Sequence, residues 1–376
     1  MDHKDILLLV NVTATDDFYP TVIQYAREHG WRLTIEDRMA PPQGWSGDGA
    51  IVQAMEDPVV AKYVKSLRRR GIPAVNLVNS RMSRSMPTCC IDICTACRMA
   101  AEHFLEHGFR NAAYFSMEWL YGRTLQFKYF AEAWPAAAVR KWVWTEAAGT
   151  KVVNNRAAMV KWLKTILLNA PKPIAVLCAN SYNAVTLMNV CLDAGLSVPD
   201  EVAVLSGVYD PAFCDCQAVP ISGVVVDSRL HAMKTATMLD EMMGNGDMRP
   251  PCVMIAPDGI TVKQSTDVMA TENPDLRKAL RFIRENISHP FGAAEIANHL
   301  AIPRIRLDRL FAAELGRSAG AEITRQRIAK AKRLLSDTDM TLSAIAAETG
   351  FCHASYLIST FKKAVGETPR KYRLNG

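Results

Sequence analysis

Short apolar runs rich in β-branched residues recur along the first two thirds of the chain, separated by longer stretches with helical spacing. The runs Ile6-Leu-Leu-Leu-Val10, Gly49-Ala-Ile-Val52, Ile72-Pro-Ala-Val75, Asn111-Ala-Ala-Tyr-Phe115, Ile174-Ala-Val-Leu177 and Val202-Ala-Val-Leu205 predict buried strands. Pro20 to His29, ending at Gly30, and Thr95 to His107, ending at Gly108, predict helices with a glycine stop. Strands that are apolar throughout and alternate with helices belong to parallel sheets, because crossover helices cover both faces. The expected fold of this part is therefore α/β and doubly wound. After Asp267 the spacing is helical only, beginning with a helix that carries Leu276, Leu280 and Ile283. The expected organisation is a large domain over residues 1–268, a linker over 269–275 containing Asn273-Pro274, and an all-α domain over 276–376.

Within that last domain the pattern repeats. Ala293, Ile296, Ala297 and Leu300 share a helical face, a break comes at Ala301-Ile302, and Pro303 suits a helix's first turn before the stripe Leu307, Leu310, Phe311. About fifty residues on, Leu342, Ile345 and Ala346 precede a turn at Gly350 and a stripe of Tyr356, Leu357 and Phe361. Both read as a helix, a tight turn and a second helix. The second helices expose Arg304, Arg306 and Arg309 in the first case and His353, Ser355, Ser359 and Lys362 in the other, and these faces are the candidate DNA-reading surfaces. A longer helix from Glu322 to Leu335 joins the two and carries basic residues Arg325, Arg327, Lys330, Lys332 and Arg333; lysines and arginines around the recognition helices are expected to contact phosphates.

Charge supports this division. The whole chain of 376 residues carries a formal charge of +6, but residues 275–376 hold 18 lysines and arginines against 10 acidic residues, leaving the remainder slightly acidic. Such asymmetry points to double-stranded DNA as the partner of the C-terminal part. The first apolar run is too short for a membrane span and lacks the flanks of a signal peptide, so the chain is expected to be soluble and cytoplasmic, with its ten cysteines as reduced thiols.

The segments Arg327-Ile-Ala-Lys-Ala-Lys-Arg-Leu-Leu335, Ile345-Ala-Ala-Glu-Thr-Gly-Phe351, Ser355-Tyr-Leu357, Phe361-Lys-Lys363 and Gly366-Glu-Thr-Pro369 with Tyr372-Arg373 closely resemble the DNA-binding domain of AraC-type regulators. The sequence departs from that pattern at Ala301, a turn position usually held by glycine, at Pro303, usually a serine cap, and at Ser359, commonly basic. The N-terminal part resembles the effector domains of LacI-type repressors and periplasmic sugar-binding proteins, through Gly47-Asp-Gly-Ala-Ile-Val52, Asp92 with His103 and Gly108, Arg123-Thr-Leu-Gln-Phe127, Cys178-Ala-Asn180, Gly195-Leu-Ser-Val-Pro199 and Lys263-Gln-Ser-Thr266. The combination is similar to the family of xylose-operon-type regulators. That resemblance implies a two-lobed cleft closing on a small sugar, with a xylose-like pentose the first candidate, a homodimer on repeated DNA sites, and activation through contact with RNA polymerase.

A neutral sugar is recognised by planar polar groups and an aromatic face. Arg123, Asn180, Asp92 and Asp210 fall at strand ends or in the loops beyond them, where open α/β sheets bind ligands, and by resemblance Arg123 and Asn180 match effector-contacting positions. The family's acidic string after the strand at Val202 is replaced by Ser206-Gly-Val-Tyr-Asp210. Either Asp210 takes over the contact from a shifted strand end, or the contact is lost.

Three motifs point elsewhere and are given little weight. His103-Phe-Leu-Glu-His107 fits a zinc-peptidase string but ends an amphipathic helix. Cys94-Thr-Ala-Cys97, near Cys89 and Cys90, lacks a second pair for a four-ligand site, and Cys214-Asp-Cys216 is equally open. With no phosphate-binding or dinucleotide fingerprint, no enzyme and no cofactor are expected. The alternatives left are a constitutive DNA binder with an altered cleft and a metal-dependent enzyme or sensor.

Overall fold

A computed structural model describes residues 3–10, 17–36, 40–54, 58–118, 120–134, 138–147, 155–245, 252–268, 270–271 and 273–375. The chain divides into two compact units, Met1–Met269 and Ala270–Gly376. Met269 and Glu272 of the expected linker lie outside the described residues.

The strands of the first unit are β1 (Lys4–Leu9), β2 (Trp31–Glu36), β3 (Gly49–Val52), β4 (Ala74–Asn76), β5 (Thr88–Ile91), β6 (Asn111–Ser116), β7 (Arg140–Val143), β8 (Ile174–Cys178), β9 (Val202–Ser206), β10 (Ser222–Val225), β11 (Cys252–Ile255) and β12 (Gly259–Thr261). Its helices are α1 (Phe18–Glu28), α2 (Pro58–Arg69), α3 (Ile93–Glu106), α4 (Tyr121–Glu132), α5 (Trp144–Ala147), α6 (Arg156–Asn169), α7 (Ser181–Asp193), α8 (Pro211–Cys214) and α9 (Ser228–Asn245). They form two lobes, each around a six-stranded sheet, ordered β2-β1-β3-β4-β5-β11 and β7-β6-β8-β9-β10-β12. The doubly wound expectation is met, with pairing parallel except where β12 runs antiparallel to β10. The continuous apolar runs are explained by burial on both faces. In the first lobe Ile6, Leu8 and Ile51 pack under α1 and α9, while Leu7, Leu9 and Val52 pack under α2.

The strands that the apolar pattern does not announce are edges or short pieces. In β2, Trp31, Leu33 and Ile35 alternate with Arg32, Thr34 and Glu36, and Arg32 pairs with Asp5 of β1 at 2.5 Å. β7 opens with Arg140 and Lys141, both exposed, and the predicted strand at Ile72 starts two residues late, at Ala74.

Three chain crossings join the lobes: β5 into α3, β10 into α9, and β11 into β12. The Asp92 N–H donates to Ile255 O at 2.8 Å and the Asp258 N–H to Val225 O at 2.9 Å, so neighbouring crossings are tied to each other. On α3, His103 is buried and its Nε2 lies 2.8 Å from Thr266 Oγ1, which in turn meets Ser222 Oγ at 2.7 Å. Burial, with His107 alongside, pushes His103 down to about 3. Its histidine pair is thereby committed to packing: His107 Nδ1 lies 2.6 Å from His103 O.

The second unit is all helical: α10 (Pro274–Glu285), α11 (Ala293–His299), α12 (Arg304–Leu315), α13 (Ala319–Asp337), α14 (Leu342–Glu348), α15 (Ala354–Val365) and α16 (Pro369–Asn375). Leu276, Leu280, Ile283, Ile296, Leu307 and Phe311 make one core; Ile345, Leu357 and Phe361 make another. The helix α13 serves both, giving Ala319 and Ile323 to the first and Ile328, Ala331 and Leu335 to the second. Pro303 is the cap residue of α12 rather than its first helical residue, and it supplies no side-chain acceptor. Ala301, at φ 51°, is the only non-glycine residue with positive φ among the described residues, in the turn where Gly350 stands at φ 67° in the second motif.

These two turn positions should respond oppositely to substitution. A left-handed alanine costs about 1–2 kcal/mol, partly offset by the unfolded-chain entropy of glycine, about 0.4–1 kcal/mol. Ala301→Gly should therefore raise stability by up to about 1 kcal/mol. At Gly350 a Cβ would meet Ile287 O at 2.6 Å and His289 O at 2.8 Å, so Gly350→Ala should destabilise by about 2–3 kcal/mol. Both are read from the denaturant midpoint of the helical signal. For His103, the unfolded chain takes up a proton near 6.5 and the folded chain only near 3. Stability is then full above about 6.5 and falls as the pH drops toward 3, by at most about 1.4 kcal/mol per pH unit for this one proton. His231, also lowered by burial, adds in the same direction, so His103→Gln should make the slope shallower without abolishing it.

Candidate functional site

A cavity of about 610 Å³ lies between the two lobes of the first unit. Its wall is built from residues just past the strands: Val10 after β1, Gln53 after β3, Leu77 after β4, Glu118 beyond β6, Asn180 beyond β8 and Gly207 after β9. Carboxyl ends of parallel strands converge on it from both sheets, which is where open α/β sheets place ligands. Phe18, Tyr121, Tyr182 and Phe213 supply aromatic faces that sequence reasoning required but did not assign.

Of the four residues expected to hold a ligand, the structure brings three to this cavity. Arg123 Nη1 donates to Gln126 Oε1 at 3.0 Å and to Ala179 O at 3.1 Å. Gln126 is buried and also accepts from Tyr114 Oη at 2.9 Å, so the guanidinium is held by a packed network; burial pushes the Tyr114 hydroxyl up and keeps it a neutral donor. Asn180 lines the wall but its Oδ1 caps α7, accepting from Asn183 N at 2.9 Å and Asn183 Nδ2 at 2.6 Å. Asp210 also reaches the wall although β9 ends four residues earlier; its Oδ1 accepts from Ala212 N at 3.0 Å and its N–H donates to Ser181 Oγ at 3.1 Å.

Asp92 is not part of the cavity wall. Its carboxylate caps α3, accepting from Thr95 N at 3.1 Å and Thr95 Oγ1 at 2.7 Å, because a residue at a helix start is recruited by the helix's orphan donors. Sequence reasoning missed Gln126 and Asn79. Gln126 was legible as the residue one turn after Arg123, and Asn79 as a polar residue in the loop just past β4. The lobes touch at this rim: a Cβ on Gly122 would stand 2.7 Å from Asn79 O, and Arg84 Nη2 lies 3.4 Å from Tyr121 Oη.

The cysteines divide. Cys97 lines the cavity with its thiol pushed up by burial, while Cys94 is exposed; Cys214 is buried and Cys216 exposed. A raised pKa opposes the thiolate that redox or metal chemistry requires.

In the second unit, Arg304, Arg306 and Arg309 of α12 and Ser355, Ser359 and Lys362 of α15 are exposed, as is His353, which stands just before α15 without capping it through its side chain. Arg304 pairs with Asp308 at 3.1 Å and Arg306 with Asp275 at 2.8 Å. Three basic residues of α13 are engaged within the unit. Arg327 donates to His289 O at 2.9 Å and lies over Phe291 and Phe351, at 5.2 and 5.9 Å from the ring centres, bracing one motif against the other. Lys330 donates to Ser288 Oγ at 2.7 Å and Glu348 O at 2.6 Å. Arg325 pairs at 2.8 Å with the buried Glu322, which also holds Arg317 at 2.6 Å. Burial raises the Glu322 pKa, and the hydrogen bonds and charge of Arg325, with Gln326 and Arg317, outweigh it, so the carboxyl sits below its ordinary value. The side chain of Arg333 lies outside the described residues.

Family comparison separates the same two parts. Residues 101–266 match the periplasmic binding protein-like domain, and residues 296–375 match the helix-turn-helix domain. The xylose operon regulatory protein of Haemophilus influenzae is 22% identical over 361 residues, 92% of this chain and 90% of that protein. The solved structure of a xylose-binding transcription activator superposes over 99% of this chain and 98% of its own, with a TM-score of 0.75 and 21% identity. The chain thus combines a periplasmic binding protein-like domain with a helix-turn-helix domain, and it is similar over nearly its whole length to regulators built in the same order. The LacI side of the likeness covers the sensor: a dimeric Lac repressor matches 71% of this chain and 99% of its own at 14% identity, with a TM-score of 0.55. The relatives named here are regulatory proteins of operons.

Exposed Lys362 gives the interface a simple test. If it neutralises a phosphate, Lys362→Ala should lower the slope of log affinity against log salt by about one without altering sequence preference, measured by anisotropy on labelled duplex DNA.

Proposed function

We propose that this regulator binds a small sugar, with a xylose-like pentose the first candidate, in the cavity between its sensor lobes, and as a cytoplasmic homodimer activates genes of carbohydrate uptake or catabolism. The observation that carries this reading is the cavity itself: strand ends from both lobes converge on it, Arg123 is held there by Gln126 and Ala179 O, and aromatic rings flank it. A fixed guanidinium beside a polar amide suits vicinal hydroxyls, and a ring face suits a sugar's C–H surface. The relatives named for xylose and the Lac repressor solved as a dimer support the effector class and the assembly. Activation by contact with RNA polymerase rests on resemblance to AraC-type regulators. In this reading Arg123, Asn180 and Asp210 contact the effector, and Arg304, Arg306, Arg309, His353, Ser355, Ser359 and Lys362 face DNA.

Ligand works by population shift. It favours the state in which the lobes meet at Gly122 and Asn79, by no more than its difference in affinity for the open and closed states. Two features separate this reading from a constitutive DNA binder: a cavity large enough for a small ligand, and polar groups that reach it.

The test is thermal unfolding of the protein against pentoses, hexoses, uronic acids and their phosphates. One sugar should raise the transition temperature, since binding the folded state at about a hundredfold excess over Kd contributes about 2.7 kcal/mol. Arg123→Ala should remove that shift and leave DNA affinity within about twofold. A variant as responsive as wild type would overturn the cavity assignment.

A further inference from the structure

Ile305 is the most exposed large apolar side chain of the described residues, at 67% of its full accessibility. It lies in the first turn of α12, between Arg304 and Arg306, and belongs to neither core of the second unit. At about 100° per residue, Leu307, Leu310 and Phe311 define the inward face of α12, and Ile305 and Arg309, one turn apart, stand opposite it. The isoleucine is thus at the centre of the outward face of the first motif's second helix. Tyr356, the comparable exposed residue on α15, differs in that its ring edge packs on Phe351 at 5.6 Å.

An isolated exposed isoleucine is ordinary on a protein surface. Here it occupies the part of a helix-turn-helix that enters the major groove, where N-terminal residues of the second helix meet base edges. It is ringed by Arg304, Arg306 and Arg309, which suit a polyanion and disfavour an apolar protein partner. Of the groups in that groove, the thymine 5-methyl is the one that an aliphatic side chain can cover without stranding a hydrogen-bonding atom.

We propose that Ile305 is a specificity-determining residue that reads the 5-methyl group of a thymine in the major groove, with Arg309 one turn further along the same line of contacts. The inference rests on the chain's being a DNA-binding regulator. Covering one methyl group contributes about a fourfold gain in affinity for thymine over deoxyuridine, which differs only in lacking that methyl.

The experiment begins by enriching bound duplexes from a random DNA library with full-length protein, then replacing each thymine of the recovered consensus by deoxyuridine in turn. Wild type should lose about fourfold affinity at one thymine in one half-site. Ile305→Ala should bind the thymine and deoxyuridine forms of that position equally, and Ile305→Val, which keeps part of the aliphatic surface, should retain most of the discrimination. Circular dichroism of the two variants should match wild type, because the residue is exposed and outside both cores. Wild-type indifference to every deoxyuridine would overturn the proposal and point instead to a protein partner for Ile305. Discrimination that survives unchanged in Ile305→Ala would overturn it too. Failure of wild type to enrich any duplex is a separate result, since it would remove the DNA-binding premise itself.

Discussion

The sensor depends on the fact that its two sheets are joined by three crossings tied to one another. Asp92 N to Ile255 O and Asp258 N to Val225 O are ordinary backbone hydrogen bonds, but they fix adjacent crossings side by side. With the crossings fixed, the carboxyl ends of both sheets must face the same gap, and the loops that leave those ends become its walls. The positions of Arg123, Asn180 and Asp210 result from that arrangement, as does the approach of Gly122 to Asn79. Asp92 belongs to the same constraint from the other side: a residue at a crossing that must also start a helix commits its carboxylate to the cap.

In the helical unit the corresponding role falls to α13. It contributes side chains to both cores, and Arg327 fills the seam between the motifs, against Phe291, Phe351 and the carbonyl of His289. Gly350 has no room for a Cβ because the His289 carbonyl and Arg327 already occupy that space. Arg325, Arg327 and Lys330, which read in sequence only as basic positions on the joining helix, thus have partners inside the unit. On α12 the outward face combines three exposed arginines with one aliphatic residue, and two of those arginines, Arg304 and Arg306, are paired with Asp308 and Asp275.

Much of the fold was legible because burial on both faces leaves a strand no polar positions. Ile6 to Val10 and Ile174 to Leu177 have that character, and each emerges as a central strand. The strands that stayed hidden are edges such as β2 and β7, where one side meets solvent and the composition looks like a loop or a helix. The two helix-turn-helix motifs were legible from their paired stripes and turn residues. In the candidate site, Arg123 was legible from its setting in a motif, and Gln126 only by its spacing from Arg123. Asn79 stands in the loop just past β4, beside Leu77 of the wall, and only the approach of Gly122 from the other lobe singles it out.

The sequence by itself determined the class of each half. Periodicity distinguishes a two-sided parallel sheet from a helical bundle, and the net positive charge after residue 275 marks the part suited to a polyanion. Tertiary structure alone decided which polar residues are available. A carboxylate or guanidinium reads the same in sequence whether it caps a helix, as Asp92 does, braces a seam, as Arg327 does, or faces open space, as Arg309 does. The difference lies in which hydrogen-bonding groups distant segments bring within about 3 Å, and no local pattern encodes that.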